Sequence, residues 1–235
     1  MVATDNELHA AVIDELAWDP RVDDRELAPT VRNTVVTLRG TVGSYPQKRA
    51  ACAAAGRVLG VSKVDDALEV ELADAVRRDD GQLRAAIETA LADNSGLCGC
   101  CIDVQVDEGW VTLTGKVSWH FQLTTADDAA SHTVGVYGVT ADIEIVPASP
   151  PPADLRSEIH RAISRTVGVT TGEVSIGTSP EGVVTLHGVA RSARLRDAVA
   201  DAAWCGPGVV RVVSDLQIVP GRWTVGAGTR QVGND

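Results

Sequence analysis

Apolar residues run along this chain in two alternating rhythms. Leu8, Val12 and Leu16 stand four apart, as do Leu83, Ile87 and Leu91, and then Leu155, Ile159 and Ile163. That spacing keeps side chains on one side of a helix, so each triplet predicts an amphipathic helix with a single apolar stripe. An acidic residue opens each helix, Asp5, Asp80 or Asp154, where a negative charge suits the helix N-terminus. Further on the rhythm shortens to two. Ile102-Asp103-Val104-Gln105-Val106 alternates strictly and predicts a half-buried strand.

A second strand follows, and it repeats. Val36-Thr37-Leu38-Arg39-Gly40 returns as Val111-Thr112-Leu113-Thr114-Gly115 and as Val184-Thr185-Leu186-His187-Gly188, at shifts of 75 and 73 residues. The glycines Gly40, Gly115 and Gly188 mark the same place in each copy. Flanking positions keep those shifts: Gly60, Val61, Val64 and Leu68 align with Gly135, Val136, Val139 and Ile143, and with Gly208, Val209, Val212 and Leu216. Three copies over residues 5–72, 80–146 and 154–219 are predicted, followed by a flexible tail over 220–235.

Between the two strands, Asp107-Glu108-Gly109 and Pro180-Glu181-Gly182 supply turn residues, so the strands form a hairpin. The first copy has Val31-Arg32-Asn33-Thr34 there, without glycine, and its turn is expected to differ. An alanine-rich helix such as 49–55 comes next and ends at a glycine suited to a helix C-cap. A closing strand, Leu68-Glu69-Val70-Glu71-Leu72 in the first copy, completes an α-β-β-α-β unit. Pro147-Ala148-Ser149-Pro150-Pro151-Pro152 predicts a semi-rigid spacer, whereas 73–79 lacks proline and glycine and could continue as helix. Copies one and two are therefore expected to pair more closely, with the third hinged.

These features, above all Gly109-Trp110-Val111-Thr112-Leu113-Thr114-Gly115-Lys116-Val117, then Ser118-Trp119-His120-Phe121-Gln122, then Gly135-Val136-Tyr137-Gly138-Val139, resemble the BON domain. The resemblance implies an α+β fold in which each module is a three-stranded mixed sheet with two helices packed on one face. It also implies attachment or ligand binding without catalysis, in stress, osmotic or envelope adaptation. Phospholipid surfaces are the ligand class it suggests first, with potassium binding in one branch of the family.

Composition narrows the remaining choices. Only 3% of residues are aromatic, so the cores must be aliphatic. The sequence MVATDNELHAAVIDEL has no basic start or apolar run, which predicts a cytoplasmic protein, and five cysteines with three crowded at Cys98, Cys100 and Cys101 predict reduced thiols. Those three are also weak candidates for metal ligands, with His120 or His132. No cofactor and no nucleic-acid partner are expected.

Charge is uneven. Residues 5–72 carry 8 basic and 12 acidic side chains, 80–146 carry 2 and 10, and 154–219 carry 7 and 7. The third copy thus stands apart, and its basic residues are all arginine. Arg161 and Arg165 lie one turn apart on its first helix, and Arg191, Arg194 and Arg196 open its second. Arginine suits phosphate and carboxylate partners, so these five are candidates for contact with an anionic surface, or with the acidic middle copy of another molecule in self-association. A small cation held by Asp103, Asp107, Glu108, Asp127, Asp128 or Asp142 is a competing possibility, which would make the chain an ion or metabolite sensor whose modules reorient. His9, His120, His132, His160 and His187 are scattered through the copies and suggest no catalytic set.

Overall fold

The computed structural model describes residues 4–166, 174–190 and 192–219. The tail at 220–235 and Arg191 lie outside the described residues. The first module runs α1 (Asp5–Trp18), β1 (Leu27–Arg32), β2 (Val35–Val42), α2 (Tyr45–Arg57) and β3 (Lys63–Val70). The second runs α3 (Asp80–Ala92), β4 (Cys101–Asp107), β5 (Trp110–Val117), α4 (His120–Ser131) and β6 (Gly138–Ile145). The third runs α5 (Leu155–Thr166), β7 (Val174–Thr178), β8 (Val183–Ala190), α6 (Ala193–Trp204) and β9 (Arg211–Ile218). Each module builds its own three-stranded mixed sheet, with β1, β4 and β7 antiparallel to β2, β5 and β8, and β3, β6 and β9 parallel to them.

Each sheet has one buried face and one open face. Leu8, Val12 and Leu16 pack on Val36 and Leu38, Leu83 and Ile87 on Val111 and Leu113, and Leu155 and Ile159 on Val184 and Leu186, all fully or nearly fully buried. The cores are three separate aliphatic clusters. The second helices bury alanines, Ala51, Ala54 and Ala55 in α2 and Ala126 and Ala130 in α4, so these helices sit close to their sheets. Ser44 caps α2 and Ser192 caps α6, while the Gln122 side chain accepts hydrogen bonds from the backbone N–H of Ser118 and Trp119 at the start of α4.

The opening acidic residues do more than meet a helix dipole. The Asp5 carboxylate accepts hydrogen bonds from the N–H groups of Asn33 and Thr34, at 2.9 and 3.2 Å. Asp80 does the same for Glu108 and Gly109, at 3.0 and 2.9 Å. Each one ties its helix to the hairpin turn of its own module. This accounts for a turn that departs from expectation. Asn33 and Thr34 hold φ of 49° and 65°, matching the 48° and 78° of Glu108 and Gly109, so the first turn has the conformation of the second. Anchoring by Asp5 and a Thr34–Ser62 hydroxyl hydrogen bond of 2.9 Å hold Thr34 in a region unfavourable to a β-branched residue. The different turn is the third, Ser179–Gly182, which Ser179 closes itself through its carbonyl and hydroxyl.

The repeat glycines Gly40, Gly115 and Gly188 have φ of 121°, 147° and 141°. A Cβ on Gly40 would lie 1.9 Å from the Glu26 carbonyl oxygen, and one on Gly115 2.3 Å from that of Cys101. The hairpin partner therefore crosses too closely for any side chain. The alanine-rich α2 runs through Gly56 to Arg57, and the glycine of positive φ is Gly60 just beyond it.

Two expectations about the joins need correction. Residues 73–79 hold a short 3-10 turn, Asp74–Val76, not a continuing helix. The third module is also not set apart, because it touches both others through α6. The proline spacer itself leaves no room for a side chain on Gly208, where a Cβ would lie 2.5 Å from the Pro151 nitrogen.

Candidate anion-contact face of the third module

The two helices of the third module run antiparallel. Leu155, at the start of α5, lies against Gly206 just past the end of α6. The last turn of α5, with Arg165, therefore comes to the same end of the layer as the first turn of α6, with Arg194. Leu155, Ile159 and Ile163 hold α5 to the sheet, which turns Arg161 and Arg165 to its flank. A shallow groove of about 300 Å³ runs along α5 against the end of α6, away from Arg194, and is lined by Glu158, Arg161, Arg165, Ala202, Cys205 and Gly206. Small residues floor it and two guanidinium groups border it.

Arg161, Arg165 and Arg194 are exposed. Among the described residues none of the three has a carboxylate partner. The first module differs sharply. There Arg21 and Arg57 converge on Asp19, at 2.7 and 2.8 Å, and Arg57 also reaches Glu15. Lys48 meets Asp66, Lys63 meets Asp65, and Arg25 pairs with Asp23. Asp19 is only 4% exposed, and its guanidinium partners, Arg21 first and Arg57 second, hold its carboxyl well below the usual carboxylate range. Five of the first module's eight basic side chains pair with its own carboxylates and Arg49 goes to the second module, while Arg32 and Arg39 stay exposed on its sheet; the third module instead gathers its open arginines on its helical layer.

Not every arginine singled out by sequence belongs to this face. Arg196 is half-buried, pairs with Asp197 at 2.8 Å and points its guanidinium at the Ser62 carbonyl of the first module. Two residues along a helix is a rotation of about 200°, so Arg194 and Arg196 leave α6 on opposite sides. Sequence spacing could not assign those sides, because both flanks of α6 are rich in alanine. Arg156, which the sequence reading passed over, is exposed on α5 beside His160 and Arg161, and it lines a second groove with Asp154, Ser175 and Ile176.

The other candidate groups are placed as follows. Asp127 and Asp128 receive Arg49 from the first module at 2.8 and 3.1 Å, so both carboxylates already have a cation. Among the described residues no cluster of three or more His, Cys, Asp or Glu side chains is arranged to hold a metal ion. Cys98 and Cys101 are exposed, Cys100 is half-buried, and all are free thiols. His187 is exposed on the open sheet face, 3.3 Å from Asp215. Trp110, 59% exposed, lies on the same face of its own sheet over Gly138, where a Cβ would meet its ring at 2.3 Å. Among the described residues no helix is long and apolar enough to cross a membrane.

Comparison with known proteins agrees with this architecture. The family model described as the BON domain matches residues 4–71, 79–147 and 152–220. No curated protein gives a significant match. Two solved structures of CdsD, described as a structural protein of the type III secretion system of Chlamydia trachomatis, are similar at 17% and 15% identity. They cover 92% and 93% of this chain and 94% and 100% of their own, each with a TM-score of 0.24. The family model accounts for each of the three αββαβ modules in turn, and the chain therefore belongs to the BON domain family, as three tandem copies.

Proposed function

We propose that this is a non-catalytic attachment protein whose third module contacts anionic phospholipid through the exposed flank of α5 and α6. The observation that carries this reading is the set of arginines Arg161, Arg165 and Arg194, exposed on one helical layer and, among the described residues, without carboxylate partners. BON domains are binding modules, and a guanidinium group matches phosphate oxygens in geometry and charge.

The net charge of −11 opposes approach to an anionic bilayer, but distance decides how strongly. A 66-residue module has a radius of gyration of about 11 Å, and the Debye length at physiological ionic strength is about 8 Å. Carboxylates on the far modules are thus largely screened from a surface touching the third, whose own charges balance.

A basic residue held against an anionic membrane contributes about 1 kcal/mol. Replacing Arg161, Arg165 and Arg194 together by alanine should therefore weaken binding on the order of a hundredfold. The assay is co-sedimentation with phosphatidylcholine vesicles with and without phosphatidylglycerol. Binding that requires phosphatidylglycerol, weakens with salt and is lost in the triple variant is expected. Undiminished binding by the triple variant, or equal binding to neutral vesicles, refutes the reading.

A further inference from the structure

We infer that the second helices of the three modules close on one another in a head-to-tail cycle, so that each module's second-helix face is the docking surface for another module of the same chain. At the first junction Arg49, in the first half of α2, reaches Asp127, Asp128 and Ser131 in the second half of α4, at 2.8, 3.1 and 2.6 Å. At the second, His120, the first residue of α4, stacks on Trp204, the last residue of α6, with ring centroids 4.1 Å apart and planes 8° from parallel. At the third, Arg196, in the first turn of α6, points to the Ser62 carbonyl in the loop that follows α2, and the two helices pass near one another. Each time the start of one second helix meets the end of another.

Repeat positions show that the junctions are equivalent. The shifts of 75 and 73 residues place Tyr45, His120 and Ala193 at one position of the module, and Gly56, Ser131 and Trp204 at another. Tyr45 packs against the core of the second module, and Trp204 packs against the cores of the second and third. Ala193 is 5% exposed although it is not part of its own module's core. Tyr45 and His120 therefore sit at module junctions, and Ala193 is buried at the equivalent position. Because α6 comes back to α2, the relation that carries module one to two and two to three also returns three to one, and the head-to-tail interface closes instead of growing into a filament.

The three junctions use different chemistry, and this distinguishes units that share one fold. One is an arginine between two carboxylates, one is an aromatic stack, and one is an arginine on a backbone carbonyl. A module placed in the wrong position would leave Arg49 only Asp201, the counterpart of Asp128, and would set Ala200 and Trp204 where Asp127 and Ser131 now receive it. The closed cycle consumes the inner flank of α6 with Arg196 and leaves the outer flank, with Arg194, free.

The test uses the full chain. Carbodiimide joins an amine directly to a carboxylate it touches, so in the Arg49→Lys variant it should couple position 49 to Asp127 or Asp128 within one molecule. Lys116–Glu144, 3.1 Å apart in the second module, is the internal control. A closed body of 235 residues should show a scattering radius of gyration of about 18 Å, and Arg49→Glu combined with Trp204→Ala should enlarge it. Coupling at the control pair without coupling at position 49 overturns the inference. So does an extended wild-type chain, or a double variant as compact as the wild type.

Discussion

Replacing Gly115 by alanine should cost far more than its one added methyl group suggests. The residue holds φ of 147°, where a side chain costs about 1–2 kcal/mol in backbone strain. The new Cβ would also stand 2.3 Å from the Cys101 carbonyl oxygen and 3.1 Å from the Ile102 Cα. These are backbone atoms locked in the β4–β5 register, where Ile102 faces Gly115, so the hairpin must part to relieve the clash. Forced overpacking of this kind costs about 1–3 kcal/mol, giving about 2–5 kcal/mol in all. A module of this size holds roughly 3–10 kcal/mol, so the second module approaches its unfolding midpoint. Gly99→Ala is the control. Gly99 has φ of 82° but nothing within 4 Å of its Cβ position, so it carries strain without the clash. Native-state hydrogen exchange read by peptide mass spectrometry reports each module separately. The β5 amides in Gly115→Ala should lose at least tenfold more protection than in Gly99→Ala. Equal losses in the two variants would refute the steric account of the repeat glycine.

Asp80→Ala removes two charge-assisted hydrogen bonds to the β4–β5 turn and should destabilise the second module by about 2–3 kcal/mol in urea titration; Asp5→Ala should do the same to the first. Asp19 has a depressed folded pKa, so its contribution is complete above the ordinary carboxylate range and is lost as pH falls through the folded value. An acid titration of Asp19→Asn should therefore show lower stability at neutral pH and a flatter acid limb, and parallel curves would contradict this. Burial lowers the pKa of His120, against a smaller opposing effect of Asp201, so its contribution is present above about pH 6.5 and declines below it; His120→Phe should remove that part of the acid sensitivity. Thiol labelling at mild alkaline pH should modify the exposed Cys98, Cys101 and Cys205 first. Cys100, raised mainly by burial, should follow, with Cys52 last because burial pushes its thiol up to about 11.

The fold was legible because its determinants are local and repeated. Helix stripes such as Leu83, Ile87 and Leu91 announce themselves by spacing, and a triplicated pattern lets the clear copies interpret the unclear one. The first turn was misread because Asn33-Thr34 is held by Asp5, distant in sequence, and short-range propensity carries no trace of that anchor. The joins failed for a related reason. Proline content describes a spacer's stiffness, whereas the position of the third module depends on Trp204 and Arg196, whose partners His120 and Ser62 lie on other modules. Of the arginine face, Arg161, Arg165 and Arg194 followed from charge counting alone, while Arg196 needed coordinates because neighbouring helical positions diverge by about 100°.

Where an anionic vesicle rests on the molecule tests the central claim most directly. Hydrogen exchange of the full chain, with and without phosphatidylglycerol vesicles, should show new protection in α5 and the first turn of α6, with α1 and α3 unchanged. Protection confined to the first or second module, or none in α5 while the chain is bound, would contradict the account.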